Sequence, residues 1–276
     1  MPDLLAPSPQ LDSDVCSAEA MHALWWSASS RLPVRVACRP ASVVELIGPA
    51  GAGKTTLRRA LAELEPQCRT AVRIDRRREL PVVMRAALRL LPLLAGATLR
   101  RRAPSWSDAV QLVRLWSLHP AVARAASSRA RFVVLDEGPV FALAKLDAYS
   151  HAAQDAGAFG VLWRDALARW RDPLDLVVWL DAPDELLTRR IRARAKPHRV
   201  KTAGAIETEH LLSRYRDAYG AVVARLCTAG GPRLLRIDTS AGTTAEHAAR
   251  LLAELRTLEG NADSRGSDAS DSCGGD

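Results

Sequence analysis

An apolar run, Val43-Val44-Glu45-Leu46-Ile47, leads into Gly48-Pro49-Ala50-Gly51-Ala52-Gly53-Lys54-Thr55, and the helix-forming run Thr56-Leu57-Arg58-Arg59-Ala60-Leu61 leads out of it. The pattern G-x-x-x-x-G-K-[ST] is met at every required position, between a strand and a helix. Glycines let backbone N–H groups turn inward around a phosphate with no Cβ in the way. The N-terminus of the following helix adds partial positive charge. In such a loop Lys54 reaches the β- and γ-phosphates and the Thr55 hydroxyl meets Mg2+. Gly48, Pro49, Ala50, Gly51, Ala52, Gly53, Lys54, Thr55 and Thr56 are therefore the candidate residues for binding ATP with Mg2+.

A strand that delivers such a loop needs a sheet around it. Short apolar runs recur at Val43–Ile47, Ala71–Ile74, Phe132–Leu135, Leu176–Leu180 and Leu234–Ile237. Each has the length and branched content of a strand buried on both faces. Helical periodicity fills the gaps, roughly over 54–64, 82–91, 107–126, 157–170, 183–195, 207–226 and 244–258. Strands alternating with helices predict an α/β three-layer sandwich, with about five parallel strands and helices on both faces. Thr243 with Glu246 predicts a capping box at the start of the last helix. Trp163 and Trp170, seven apart on one helix, predict a buried face. Residues 1–41 read as an extension with one amphipathic helix, residues 42–258 as the phosphate-loop domain, and the Gly/Ser/Asp-rich residues 259–276 as a disordered polar tail.

A phosphate loop works with an acidic strand end beside it. Phe132-Val133-Val134-Leu135-Asp136-Glu137-Gly138-Pro139 supplies one: four apolar residues, two acids, then a Gly-Pro break. In an ATPase, Asp136 would orient metal-bound water and Glu137 would activate the attacking water. In a small-molecule kinase, one of the two takes a proton from an acceptor hydroxyl or holds the metal. Asp136 is thus a candidate for metal binding with Thr55, and the two acids are candidates for base. Further on, Leu180-Asp181-Ala182-Pro183-Asp184-Glu185 runs into a dense cationic stretch, Arg189-Arg190-Ile191-Arg192-Ala193-Arg194-Ala195-Lys196-Pro197-His198-Arg199. So many like charges on one helix repel unless anions lie against it. A basic lid over roughly 189–201, closing on a polyphosphate, relieves that repulsion and stabilises charge on a transferring phosphoryl group. Arg190 and Arg194, four apart, share a helix face. After the second strand, Asp75 is a candidate to bond an acceptor's hydroxyl and Arg76 a candidate to meet an anionic group.

Three stretches together resemble the thymidylate kinase and deoxynucleoside kinase branch of P-loop kinases. They are the loop Gly48–Thr56, the run from Leu180 through the arginines, and Tyr215-Arg216-Asp217-Ala218-Tyr219. The segment Arg236-Ile237-Asp238-Thr239-Ser240 is similar to that group's last β-α unit. The resemblance covers roughly residues 42–258. It implies a five-stranded parallel sheet, ATP with Mg2+, and lid arginines, matched here to Arg190 and Arg194, on the transferred phosphate. The chain departs from the pattern after its third strand. The group resembles itself there in an Asp-Arg or Glu-Arg pair, whereas this chain has Asp136-Glu137, which points toward a hydroxyl-bearing acceptor.

Composition narrows the partners. The net charge is +8, but only four of the 39 basic residues are lysine (Lys54, Lys145, Lys196, Lys201), a usage expected of a GC-rich genome. Aromatics are 5% and no nucleic-acid-binding signature occurs, which argues against nucleic acid as the partner. Five scattered cysteines without C-x-x-C argue against a disulfide framework or zinc and for a reducing, cytoplasmic setting. No uncharged apolar stretch is long enough to span a bilayer, and no secretory leader is expected. The sequence thus predicts an ATP/Mg2+-dependent phosphotransferase with catalytic candidates Lys54, Asp136, Glu137, Arg190 and Arg194 and a nucleoside- or nucleotide-like small-molecule acceptor. A P-loop ATPase or a nucleotide-binding regulatory protein is the alternative, and the oligomeric state is open, a homodimer included.

Overall fold

The computed structural model describes residues 41–69, 81, 83–84, 88, 105–127, 130–150, 158–195 and 198–271. The described elements are β1 Ser42–Ile47, α1 Lys54–Leu64, β2 Cys68–Arg69, α2 Trp106–Ala126, β3 Phe132–Asp136, α3 Pro139–Ser150, α4 Ala158–Arg171, β4 Leu176–Asp181, α5 Asp184–Ala193, a 3-10 turn Arg199–Lys201, α6 Ala205–Leu226, β5 Arg233–Asp238 and α7 Thr244–Asp271. The expected N-terminal helix, the strand at 71–74, Asp75 and Arg76 lie outside the described residues. So does most of the helix expected over 82–91, of which positions 83, 84 and 88 are helical.

Among the described residues the sheet has five strands in the order β2-β3-β1-β4-β5, and each pairing between them is parallel. This is an α/β P-loop fold. β1 lies in the centre, paired with β3 from Ser42 opposite Phe132 to Leu46 opposite Asp136. Its phosphate loop and the acidic end of β3 therefore emerge side by side at the same edge. Alternate residues of a strand face opposite ways. Val44 and Leu46 join Phe132, Val134, Leu176, Val178, Leu180 and Ile237 in one apolar cluster, closed by Leu57 and Leu61 of α1, Leu187 and Ile191 of α5, and Leu251 and Leu255 of α7. The other face meets α3 and α6, where Glu45 bonds to the start of α3 and the rings of Trp179 and Tyr219 lie 6.2 Å apart.

Local signals explain most helix starts. At α2, Ser105 Oγ accepts the Asp108 N–H and the Asp108 carboxylate accepts the Ser105 N–H, a capping box that starts the helix at Trp106, one residue earlier than the periodicity suggests. At α7 the expected Thr243/Glu246 box forms, at 2.7 Å and 3.3 Å. The Gly138-Pro139 pair reads as a break in sequence, but it opens α3. Proline suits a first helical position, where its missing N–H has no intrahelical partner. The last helix continues to Asp271, beyond the 258 that its apolar spacing indicates.

Trp163 and Trp170 are fully buried, as their spacing predicts. Each indole N–H finds a carbonyl, Trp163 on Leu143 at 3.0 Å and Trp170 on Leu115 at 3.2 Å, so α4 is bonded to both α3 and α2. Replacing Trp170 by alanine removes that bond and leaves a large cavity. The expected loss is about 3–5 kcal/mol of folding stability, read by urea unfolding.

Candidate functional site

The phosphate loop follows β1 without a residue to spare. Gly48 has φ +132°, and a Cβ there would lie 2.0 Å from the Leu180 carbonyl oxygen of the neighbouring strand. Gly51 has φ +85°, and its Cβ would lie 2.8 Å from the Leu187 oxygen on α5. Both positions require glycine twice over, for the left-handed backbone and for the close approach. α1 then starts at Lys54 with no side chain capping it, so its first amides face the loop.

Lys54 is half-buried in this loop. Its ammonium donates to the carbonyls of Gly48 at 2.7 Å and Pro49 at 2.9 Å. Burial pulls its pKa down to about 8, against the opposing charges of Asp136 and Glu137, and the nearby Arg194 pushes it further down. The Thr55 hydroxyl donates to the Asp136 carboxylate at 3.1 Å, and the Arg58 guanidinium stands 3.8 Å from the same oxygen. The structure thus brings together Lys54, Thr55 and Asp136 because β1 and β3, distant in sequence, are paired in the sheet with Leu46 opposite Asp136.

Glu137 stands just beyond, with φ +68°, a left-handed backbone that is uncommon outside glycine. Its carboxylate is 3.6 Å from Arg114 of α2, and Arg114 also donates to the Glu137 carbonyl. The resemblance drawn from sequence implies an arginine at the position that Glu137 occupies. The fold returns a guanidinium to that place from a different helix. Nothing in the local pattern around Arg114 announces this, because the contact depends on how α2 crosses β3.

The two lid arginines part company. α5 ends at Ala193, and Arg194 is extended, so Arg190 and Arg194 do not share a helix face. Arg190 donates to the Thr239 hydroxyl at 2.9 Å, the Thr239 carbonyl at 2.8 Å and, more weakly, the Gly51 carbonyl at 3.5 Å. It ties the phosphate loop to the turn after β5. Arg194 carries its charge toward Lys54, and its Nε is buried without a hydrogen-bond partner among the described residues. Lys201 from the 3-10 turn donates to the Arg194 carbonyl.

The base of this lid is fixed by Arg216, in the Tyr215–Tyr219 run. Its guanidinium donates to Asp181 at 2.8 Å and 3.1 Å, to the Ala182 carbonyl at 3.0 Å and to Asp184 at 2.6 Å. These bonds to Asp181 and Asp184 push its pKa above the ordinary arginine value. The residue missed by sequence reading altogether is Glu45. It is a fully buried acid within β1 whose carboxylate accepts the N–H groups of Val140 at 2.8 Å and Phe141 at 2.9 Å. A charge inside an otherwise apolar strand was the signal available for it.

A protein of Aeropyrum pernix named "Putative thymidylate kinase" is 28% identical over 125 residues, which are 45% of this chain and 52% of that one, so the match spans about half the relative's length. Among solved structures, a thymidylate kinase from Candida albicans superposes with TM-score 0.49 at 12% identity, over 80% of this chain and 93% of the other. A deoxyadenosine kinase from M. mycoides with bound dCTP gives 0.43 at 13% identity, over 77% and 99%. A family model described as an AAA domain matches residues 43–217, a stretch that holds the phosphate loop, the acidic end of β3 and the arginine-rich segment. The chain belongs to that family of P-loop proteins.

Proposed function

We propose that the protein is an ATP- and Mg2+-dependent phosphotransferase acting on a small-molecule acceptor of nucleoside or nucleotide type. The observation that carries this reading is the contact of Thr55 with Asp136 beside the half-buried Lys54. One hydroxyl, one carboxylate and one ammonium at the mouth of a glycine turn suit a metal–triphosphate. The residues also pass a test of fit. The cradle is one that a Cβ at Gly48 or Gly51 would fill, and the buried Arg194 Nε lacks a protein partner among the described residues. The acceptor class rests on the likeness to the Aeropyrum pernix protein.

In this reading the loop amides and Lys54 bind the β- and γ-phosphates, and Arg194 meets the charge on the transferred group. Thr55 and Asp136 would hold Mg2+, whose chemistry there is to neutralise charge shared by the two phosphates. Arg190 and Arg216 orient the lid rather than touch the donor. The two acids take different tasks. The Asp136 side chain is 21% exposed and engaged by Thr55 and Arg58, whereas that of Glu137 is 47% exposed. Glu137 is therefore the base that takes the acceptor's hydroxyl proton, with Arg114 orienting it. The acceptor oxygen then forms its bond to the γ-phosphorus as the bond to the β-phosphate oxygen breaks and ADP leaves.

Two substitutions test this. Lys54→Ala should weaken ATP binding at least about tenfold in calorimetry, since a desolvated charge-assisted contact is lost; unchanged affinity contradicts the loop assignment. Glu137→Gln should keep Mg2+-ATP affinity and lower acceptor-dependent ADP release by about 10²–10⁴-fold, measured in a coupled assay over nucleosides, nucleotides and sugars. Equal ATP turnover with and without every acceptor would favour the ATPase alternative.

A further inference from the structure

Glu45 sits opposite Leu135 on β3 and Val177 on β4, in the middle of the sheet, with none of its surface exposed. A carboxylate there is costly unless its oxygens are met. The first amides of α3 meet them. Val140 and Phe141 donate at 2.8 Å and 2.9 Å, and the helix N-terminus adds favourable partial charge. Gly138 makes the approach feasible: a Cβ there would lie 2.7 Å from the Glu45 carboxyl carbon and 2.9 Å and 3.0 Å from its oxygens. The charged and titratable groups that act on it are Arg114 from α2 and Tyr219 from α6, and Tyr219 in turn feels Tyr215, Asp136 and Glu137. The gripped turn is Glu137-Gly138, directly after Asp136, and Glu137 holds its left-handed φ of +68° there.

We propose that Glu45 is a positioning residue for the site: by holding the start of α3 from beneath, its carboxylate fixes the left-handed turn that points Asp136 at Thr55 and turns Glu137 outward. This rests on the reading of the site given under the proposed function. The grip needs two acceptor oxygens. A proton on one of them would place an O–H against an amide N–H and release that donor. Burial raises the Glu45 pKa to about 7, although the N–H groups of Phe141, Val140 and Gly138 and the charge of Arg114 oppose the shift. The grip therefore strengthens as pH rises through about 7. Stability runs the other way. The folded protein holds this proton more tightly than the unfolded chain, so the Glu45 contribution is full below pH 4.5 and is lost as pH rises through about 7. The carboxylate positions the site best where it costs the fold most.

The test uses the full chain, its Glu45→Gln and Gly138→Ala variants, and ATP with Mg2+ or with EDTA, by calorimetry from pH 5.5 to 9. Gly138→Ala leaves Glu45 in place and pushes the turn off it, so it also decides the matter where Glu45→Gln fails to fold. We expect both variants to keep the EDTA affinity for ATP within about twofold and to lose at least threefold of the affinity gained from Mg2+ at pH 8. The ratio of the wild-type to the Glu45→Gln gain, in which ATP's own ionisation cancels, should rise through about pH 7. Hydrogen exchange at Val140 and Phe141 should be at least tenfold faster in both variants. Folded variants with the full Mg2+ gain and the wild-type pH profile overturn the positioning role alone. A wild-type protein that binds no ATP at any pH overturns the reading of the site, and this inference with it.

Discussion

Backbone amides hold a triphosphate only where the chain can turn tightly with no side chain between them and the anion. At Gly48 that turn is pressed against the Leu180 carbonyl of β4, and at Gly51 against Leu187 of α5. The loop is therefore moulded by its neighbours as much as by its own dihedral freedom. The all-parallel sheet supplies that mould. With β1 flanked by β3 and β4, the loop, the acidic end of β3 and the base of the arginine segment reach the same edge. A site built on strand ends is more rigid than one built on free loops.

Charge balance organises what gathers there. Lys54 is bonded to loop carbonyls, its ammonium disfavoured by desolvation and by Arg194 and favoured by Asp136 and Glu137. Arg194 has a buried nitrogen without a partner among the described residues, and Arg114 is divided between the carbonyl and carboxylate of Glu137. Around this centre the remaining ion pairs are structural. Arg216 clamps Asp181 and Asp184 at the start of α5, and Arg190 spans from α5 to Thr239. Arginine suits both tasks because its planar fork serves several acceptors at once.

The phosphate loop, the order of alternating strands and helices and the acidic doublet were legible in the sequence because each is local. A strand, a turn and a helix adjoin in the chain at 43–61, and period and turn chemistry report on neighbours of that kind. The start of α3 was misread because Gly138-Pro139 signals both a break and a helix entry, and only the Glu45 carboxylate beneath it decides between them. Arg190 and Arg194 were placed on one helix face because spacing says nothing about where α5 stops. Arg114 and Glu45 were missed for the same reason: their roles come from contacts between distant segments, α2 over Glu137 and β1 under α3, which no short window contains.

The central claim is that the loop and Lys54 grip a triphosphate, and proton counting tests it most directly. Desolvation lowers the Lys54 pKa to about 8 in the free protein, so at alkaline pH part of its population has lost the ammonium proton. A polyphosphate against the amine restores the charged form. Calorimetry of Mg2+-ATP binding at pH 9 in two buffers of different ionisation enthalpy should register a net uptake of protons. Binding with no proton uptake, or no binding heat in either buffer, would contradict the account.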